Sequence, residues 1–462
     1  MATIQSATER LANWATALVL DNIPADVVEK AKLHILDTLG CAIGAVDSKV
    51  GASLIDSSNG LLFNGPATGI GIGRRLSAER AAFVNGALSH TLDFDDTHSN
   101  SSCHVSAVVL PAALAAAEYE GLSGPELVTA FICGVEATSL IGSVCPGAFH
   151  RHGLHPTGIL GPFGSTLAVA RLLGLSAETT ANALGIAGSF SAGTFAYLSN
   201  GSNVKPIHAG NAARAGIEAV NLAHRGFTGP MEVIEGRDGI YGAFLGMTDL
   251  DLSVFDRLGE DWQTLELSIK AYPSCLATHS AIRATLKLRE EHGFRAEDVM
   301  KVEALVRERD VPLVVEPLER RRVPETTADA RFSLPYTVAI ALEHGVVDNT
   351  HFTLDGATNL EILRITSSFE YSVYHFNGFD SQFSGGVRLT LRDGNVLERI
   401  VLDHPGSIEN PLAGDTIRAK FRTNAVPVVG SEAAERIIDL VDRIDELSDV
   451  LPLTECLENV QA

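Results

Sequence analysis

Apolar residues recur at helical spacing through the first half of the chain. In IPADVVEKAKLHILDTLGCAIGA, residues 23–45, Pro24 suits a first-turn position, and Val28, Ala31, Ile35 and Leu39 fall on one face at i, i+3/i+4 intervals. Gly40 sits near the end of that pattern. The same period predicts helices over 107–120, 124–142, 162–174, 176–188 and 209–226. Most are rich in Ala, Leu and Val and apolar on more than one face. That predicts an all-helical mass whose central helices are fully buried.

The period changes near residue 268. Val302, Ala304 and Val306 alternate with Glu303, Leu305 and Arg307, and Val387, Leu389 and Leu391 alternate with Arg388, Thr390 and Arg392. Asp393-Gly394 follows, a two-residue hairpin signal, and residues 396–401 read as the returning strand. Helical stretches at 277–292 and 333–345 lie between the strands, so this region reads as α+β. From about residue 405 the chain is helical again. Ser431 fits an N-cap, and Ala434, Ile437, Ile438, Val441 and Ile444 form an apolar stripe. A helical tail after an α+β insert is expected to pack back on the first domain.

A chain of 462 residues exceeds one compact core and predicts two or three domains. Hydrophobic residues at 45% and charged residues at 20% leave no room for large-scale disorder. The net charge of −22 repels phosphate backbones and anionic lipid, so neither nucleic acid nor membrane is an expected partner. An anionic substrate would then need a local positive island, which gives weight to every Lys, Arg and His cluster. Six scattered cysteines form no CxxC pair and read as free thiols in a reducing cytoplasm. The N-terminus lacks the pattern of a signal peptide. No apolar run reaches the ~18–20 residues of a membrane span; 107–117 is about half that.

Four segments carry chemistry. In HTLDFDDTHSNSSCHVS, residues 90–106, three carboxylates precede two histidines. A calcium loop starting at Asp93 would need glycine sixth and glutamate twelfth, where His98 and His104 stand. A DDxx(D/E) reading of Asp95-Asp96 lacks its last acid. A capped polar loop remains the bland alternative. FHRHGLHPTGILGPFG, residues 149–164, holds His150, His152 and His155. Zinc is the sharp alternative there, but Gly153 and Pro156 break the helical pairing it prefers. His155-Pro156-Thr157 leading into a Gly-rich helix start reads as a side chain held rigidly beside a pocket. GSNVKPIHAGNAARAG, residues 201–216, sets Lys205, His208 and Arg214 among glycines, as an anion site or a solvated loop would. In KAYPSCLATHSAIRA, residues 270–284, Lys270 and His279 flank Cys275, and nothing marks that thiol as activated. GIGIG at 69–73 is not a dinucleotide fingerprint.

In order and spacing these segments resemble the MmgE/PrpD family, through VNGALSHTLDFDDTH, HPTGILGPFG, VKPIHAGNAARAG with HRGFTGP, and KAYPSCLATH. The family includes 2-methylcitrate dehydratase, cis-aconitate decarboxylase and iminodisuccinate epimerase. The resemblance implies a mainly α fold: a large helical domain from both chain ends, 1–267 and 405–462, with an inserted α+β lid, 268–404, usually as a homodimer. It implies a site between the two, needing no metal and no cofactor, at Asp93, Thr97, His104, His155, Lys205 and Lys270, with Tyr336 from the lid. His208 joins the substrate-binding set. The family usually has Gly- or Thr-His-Pro-Ser at the first site histidine. Here Cys103-His104-Val105-Ser106 stands after a serine-rich insert, which bears on pocket shape.

All three family reactions place negative charge on carbon next to a carboxylate, so fixed positive charge must face it. Lys205 and Lys270 fit that role and the binding of carboxylates. His104 and His155, with intrinsic pKa near ~6.5, suit proton transfer. Asp93 is expected to orient His104 or hold its charged form, and Thr97 to bind a carboxylate or a leaving hydroxyl. The leading expectation is a metal-independent, 2-methylcitrate dehydratase-like hydro-lyase working through an aci-carboxylate intermediate on a di- or tricarboxylate. Decarboxylation, epimerisation and non-catalytic polycarboxylate binding are the alternatives.

Overall fold

The computed structural model describes residues 5–59, 64–378, 383–458 and 460. Ten helices lead: α1 (Ala7–Ala17), α2 (Ala25–Gly44), α3 (Lys49–Asn59), α4 (Ala78–Thr91), α5 (Ser106–Glu120), α6 (Gly124–Ser143), α7 (Ala148–Arg151), α8 (Pro156–Leu172), α9 (Ala177–Ala187) and α10 (Lys205–His224). Serine caps set several starts. Ser77 accepts from Arg80 N, Ser176 from Thr179 N, and Ser123 forms a full capping box with Glu126. The fold is mainly helical, as the periodicity implied.

α10 packs against α4 and α8, and α5 and α6 also pack on α8. α6 qualifies the reading of the apolar runs, because it is long and apolar enough to cross a membrane. It carries Glu126 and Glu136 and is buried within the core. Glu136 is satisfied there by Gln263 N, Thr264 N and Thr264 Oγ1.

Two apolar cores separate along the chain. The first gathers residues from Ala7 to Leu267 and again from Phe421 to Val460. The second gathers residues from Tyr272 to Leu391. Short antiparallel pairs lie in the first region: β1 (Asn64–Thr68) with β2 (Arg75–Leu76), and β3 (Thr97–His98) with β4 (Leu267–Ser268). The second core backs a sheet of order β6-β5-β7-β8, from β5 (Val299–Val306), β6 (Phe369–Val373), β7 (Gly385–Leu391) and β8 (Val396–Val401). β6 pairs parallel to β5, and the other pairings are antiparallel. The helices His279–His292 and Leu334–His344 pack together in this region. The β7–β8 hairpin closes at Asp393-Gly394, where Gly394 has φ +90°.

The tail Gly414–Asp442 packs on α2 and is broken at Gly430, whose φ is +78°. Past the break, all five stripe residues from Ala434 to Ile444 are buried. Gly40 lies within α2 and marks a close crossing: a Cβ there would sit 2.8 Å from Phe421 Cδ2. GIGIG lies in the turn between β1 and β2 and opens no helix.

Candidate active site

Helix ends converge on one buried cavity. α4 stops at Leu92, and Asp93 follows in the left-handed region, φ +50°, a conformation that Asp tolerates better than most residues. His104 stands two residues before α5. His155 occupies the N-cap of α8 without capping it, and Pro156 takes the first helical position. Lys205 opens α10, where a cation faces the positive end of the helix dipole. Three N-termini therefore add partial positive charge beside Lys205. The β3–β4 pairing sets Thr97 opposite Ser268, two residues before Lys270.

The three acids of the DFDD turn have separate partners. Asp93 Oδ1 accepts from Lys205 Nζ at 2.6 Å and Lys270 Nζ at 2.9 Å, and Lys270 also donates to the Asp93 carbonyl at 2.8 Å. Asp95 Oδ2 lies 2.7 Å from His90 Nδ1 and 3.3 Å from His104 Nδ1. Asp96 Oδ2 lies 2.6 Å from His34 Nδ1, and Asp96 also takes the Ser106 N–H and hydroxyl. The carboxylate beside His104 is thus Asp95. This corrects the expected role of Asp93, which is committed to two lysines. Lys420, from the C-terminal helix, pins the floor by donating to Phe94 O and Lys270 O and pairing with Asp37 at 2.6 Å.

Burial and neighbouring charge set the protonation states. Burial alone would raise the Asp93 carboxyl, but Lys205 and Lys270 outweigh it and hold it far below the carboxylate range. Burial works against the Lys270 ammonium, yet Asp93 and Asp95 prevail and raise its pKa. Burial lowers His104, although Asp95 pulls it upward. His155 falls well below its ordinary value through burial and then Lys205. His90 is pushed down to about 3, chiefly by burial. Burial therefore favours neutral imidazoles here, beside the ammonium group of Lys270.

The cavity, about 80 Å³, is lined by Asp93, Thr97, His104, His155, Lys205 and Lys270 on its polar side. Leu276, Leu313, Phe332 and Phe383, all beyond residue 270, form much of its apolar wall. These six sequence-predicted residues come together. His208 stands behind His155, with Nδ1 3.0 Å from His155 Nδ1, and does not line the cavity. Tyr336 is placed elsewhere: its ring is in the second core and its hydroxyl donates to His351 O at 2.7 Å. Arg214 bonds Asn211 on the same helix. The serine-rich insert folds back through a His98–Cys103 bridge and presents Ser102 to the cavity.

The alternatives separate cleanly. His150 lines the cavity, but His152 turns its Nδ1 to Ala148 O, so His150, His152 and His155 do not form a shared donor set. Cys275 lines the cavity with its thiol pushed up to about 12 by burial, which removes the thiolate that nucleophilic catalysis needs. Sequence reasoning missed His90, Asp95, His34 and Lys420 as parts of the site. His90 and Asp95 lie inside the quoted 90–106 segment; only their pairing was hidden.

The MmgE/PrpD N-terminal domain family matches residues 9–253, and the MmgE/PrpD C-terminal domain family matches residues 272–446. Cis-aconitate decarboxylase of Aspergillus terreus is 28% identical, covering 97% of this chain and 95% of the relative. The Mus musculus protein of the same name is 27% identical, covering 98% and 94%. The mitochondrial 2-methylcitrate dehydratase of Yarrowia lipolytica is 24% identical, covering 82% and 76%.

Proposed function

The chain belongs to the MmgE/PrpD family, and on that premise we propose that it is a lyase releasing CO2 from a cis-aconitate-like unsaturated tricarboxylate. One observation carries the choice: a cationic, histidine-lined floor faces an apolar wall within a single buried cavity. The order of similarity supports it, at 28% identity to a decarboxylase and 24% to a dehydratase. This displaces dehydration as the leading expectation.

The chemistry divides between the two sides. Lys205 Nζ spends one donor on Asp93, so the ammonium has donors left for a substrate carboxylate. As the C–C bond to the departing carboxylate breaks, its electron pair becomes a new C=C bond. The former π pair takes a proton at the carbon next to another carboxylate. Negative charge collects on that carboxylate, where Lys205 and Lys270 stabilise it. His104 or His155 delivers the proton after the anionic substrate has raised the histidine's proton affinity. Asp95 fixes the His104 ring and leaves Nε2 for transfer. The apolar wall disfavours the charged carboxylate and accepts neutral CO2. In this scheme the lysines supply the positive charge, so turnover needs no metal.

Dehydration stays as a second reading because Thr97 Oγ1 lies 3.5 Å from His104 Nδ1, placing a hydroxyl-binding group beside an acid. Incubation with cis-aconitate and with 2-methylcitrate separates the two. Decarboxylation predicts CO2 from cis-aconitate, abolished in folded His104→Ala and Lys205→Ala proteins and kept after prolonged chelation. A new double bond from 2-methylcitrate without CO2 would instead assign dehydration.

A further inference from the structure

We propose that His90, His104 and His155 form a capture site for a first-row transition-metal dication such as zinc(II), and that its occupation turns the enzyme off. The three buried side chains each offer a ring nitrogen, and these nitrogens lie within 4.8 Å of one another. Their ring centroids are 4.5, 5.6 and 6.2 Å apart. With metal–nitrogen bonds of about 2.0–2.1 Å, tetrahedral geometry asks for nitrogens about 3.4 Å apart. Side-chain rotations that close the widest nitrogen separation by up to about 1.4 Å satisfy it.

The surroundings are those of a metal-binding histidine set. Asp95 holds Nδ1 of His90 and of His104, and His208 faces Nδ1 of His155. Each ring is thereby oriented through Nδ1, leaving Nε2 for an ion, and His90 Nε2 is buried without a hydrogen-bond partner. A carboxylate behind a ligating imidazole is the usual outer support of such a site. Imidazole donors favour zinc, copper and nickel over magnesium and calcium. An ion held there takes the nitrogens of His104 and His155 that the proposed chemistry uses for proton transfer.

The inhibitory consequence rests on the proposed function, whereas binding does not. Chelator-washed protein is titrated with Zn2+ against a chromophoric chelator, and with Co2+ by visible absorption. One tight equivalent is expected, with a tetrahedral Co2+ spectrum lacking a thiolate charge-transfer band. Binding should weaken at least tenfold in His90→Gln and about 10–100-fold in Asp95→Asn, and stay unchanged in His152→Gln. Folding of each variant is checked by thermal melt; His155→Gln replaces His90→Gln if the latter does not fold. Turnover should vanish with one equivalent and return with EDTA. Undiminished affinity in the His90 or His155 variant, or a thiolate band, would overturn the site. A protein inert toward every polycarboxylate yet binding Zn2+ through His90 would sink the lyase reading and leave the metal site standing.

Discussion

Replacing Asp93 with Asn keeps the side-chain shape and removes the one carboxylate that both site lysines share. Lys205 and Lys270 lie 2.6 and 2.9 Å from a single oxygen, and all three residues are buried. At an effective dielectric near 20, each contact is worth on the order of 6 kcal/mol in gross attraction. Leaving partners of a buried pair uncompensated costs a net of about 3–5 kcal/mol. With an unfolding entropy of roughly 1 kcal/mol/K for a chain of this length, the melting temperature should fall by about 3–5 °C. The sign with pH follows from the depressed pKa of Asp93. Its stabilisation is fully present above the unfolded carboxyl value near ~3.9 and fades as pH drops below that. The gap between wild type and Asp93→Asn should therefore be full at neutral pH and narrow in acid. A bound tricarboxylate supplies the missing charge, so cis-aconitate should raise the variant's melting temperature more than the wild type's. Differential scanning calorimetry from pH 3 to 8, with and without ligand, tests all of this. An unshifted melt at neutral pH, or a ligand effect no larger in the variant, would refute the reasoning.

Asp95→Asn should lower kcat by about 10–150-fold, the worth of a charged hydrogen bond of ~1.5–3 kcal/mol, and alter the pH profile; an unchanged profile would remove Asp95 from the proton-transfer machinery. With His104 lowered by burial, kcat/KM should rise as pH falls from 8 toward 6; a flat profile contradicts a histidine acid. Iodoacetamide at pH 7 should leave activity intact, because burial pushes the Cys275 thiol to about 12; rapid inactivation traced to Cys275 by mass spectrometry would reverse that. Gly158→Ala places a Cβ 2.2 Å from Ala192 O one turn beyond His155, so it should lower both melting temperature and kcat, and a fully active variant would show that the α8 start tolerates displacement.

What was legible in the sequence was local. Helices with strong apolar period were found because their buried faces repeat every turn, and the β7–β8 hairpin because Asp393-Gly394 marks it. β6 was not: FEYSV is a five-residue edge strand, largely only half-buried, without clean alternation. Its partner β5 lies far away in sequence, so nothing near it announces the pairing. α8 starts at Pro156, six residues before the predicted start at 162, because Gly158, Gly161 and Pro162 lower helix propensity and mask its first turns in the sequence. Tertiary packing overrides them, and Gly158 and Gly161 are where neighbouring segments approach α8.

The site shows the same limit in sharper form. Which residues gather was readable from four motifs, but which charge faces which was not. Asp93 and Asp95 are two positions apart in one turn, and the family resemblance points to Asp93 as the partner of His104. The left-handed turn at Asp93 instead sets it against lysines 112 and 177 positions away. Lys420 reaches the floor from 326 positions away, on a helix whose apolar stripe announces packing but not this contact. These long-range ionic contacts turn three neighbouring acids into three different devices: a lysine clamp, a histidine holder and the anchor of α5 through Ser106. An acidic protein can thereby gather two lysines and several imidazoles around one cavity, because each carboxylate there is already committed before an anionic substrate arrives.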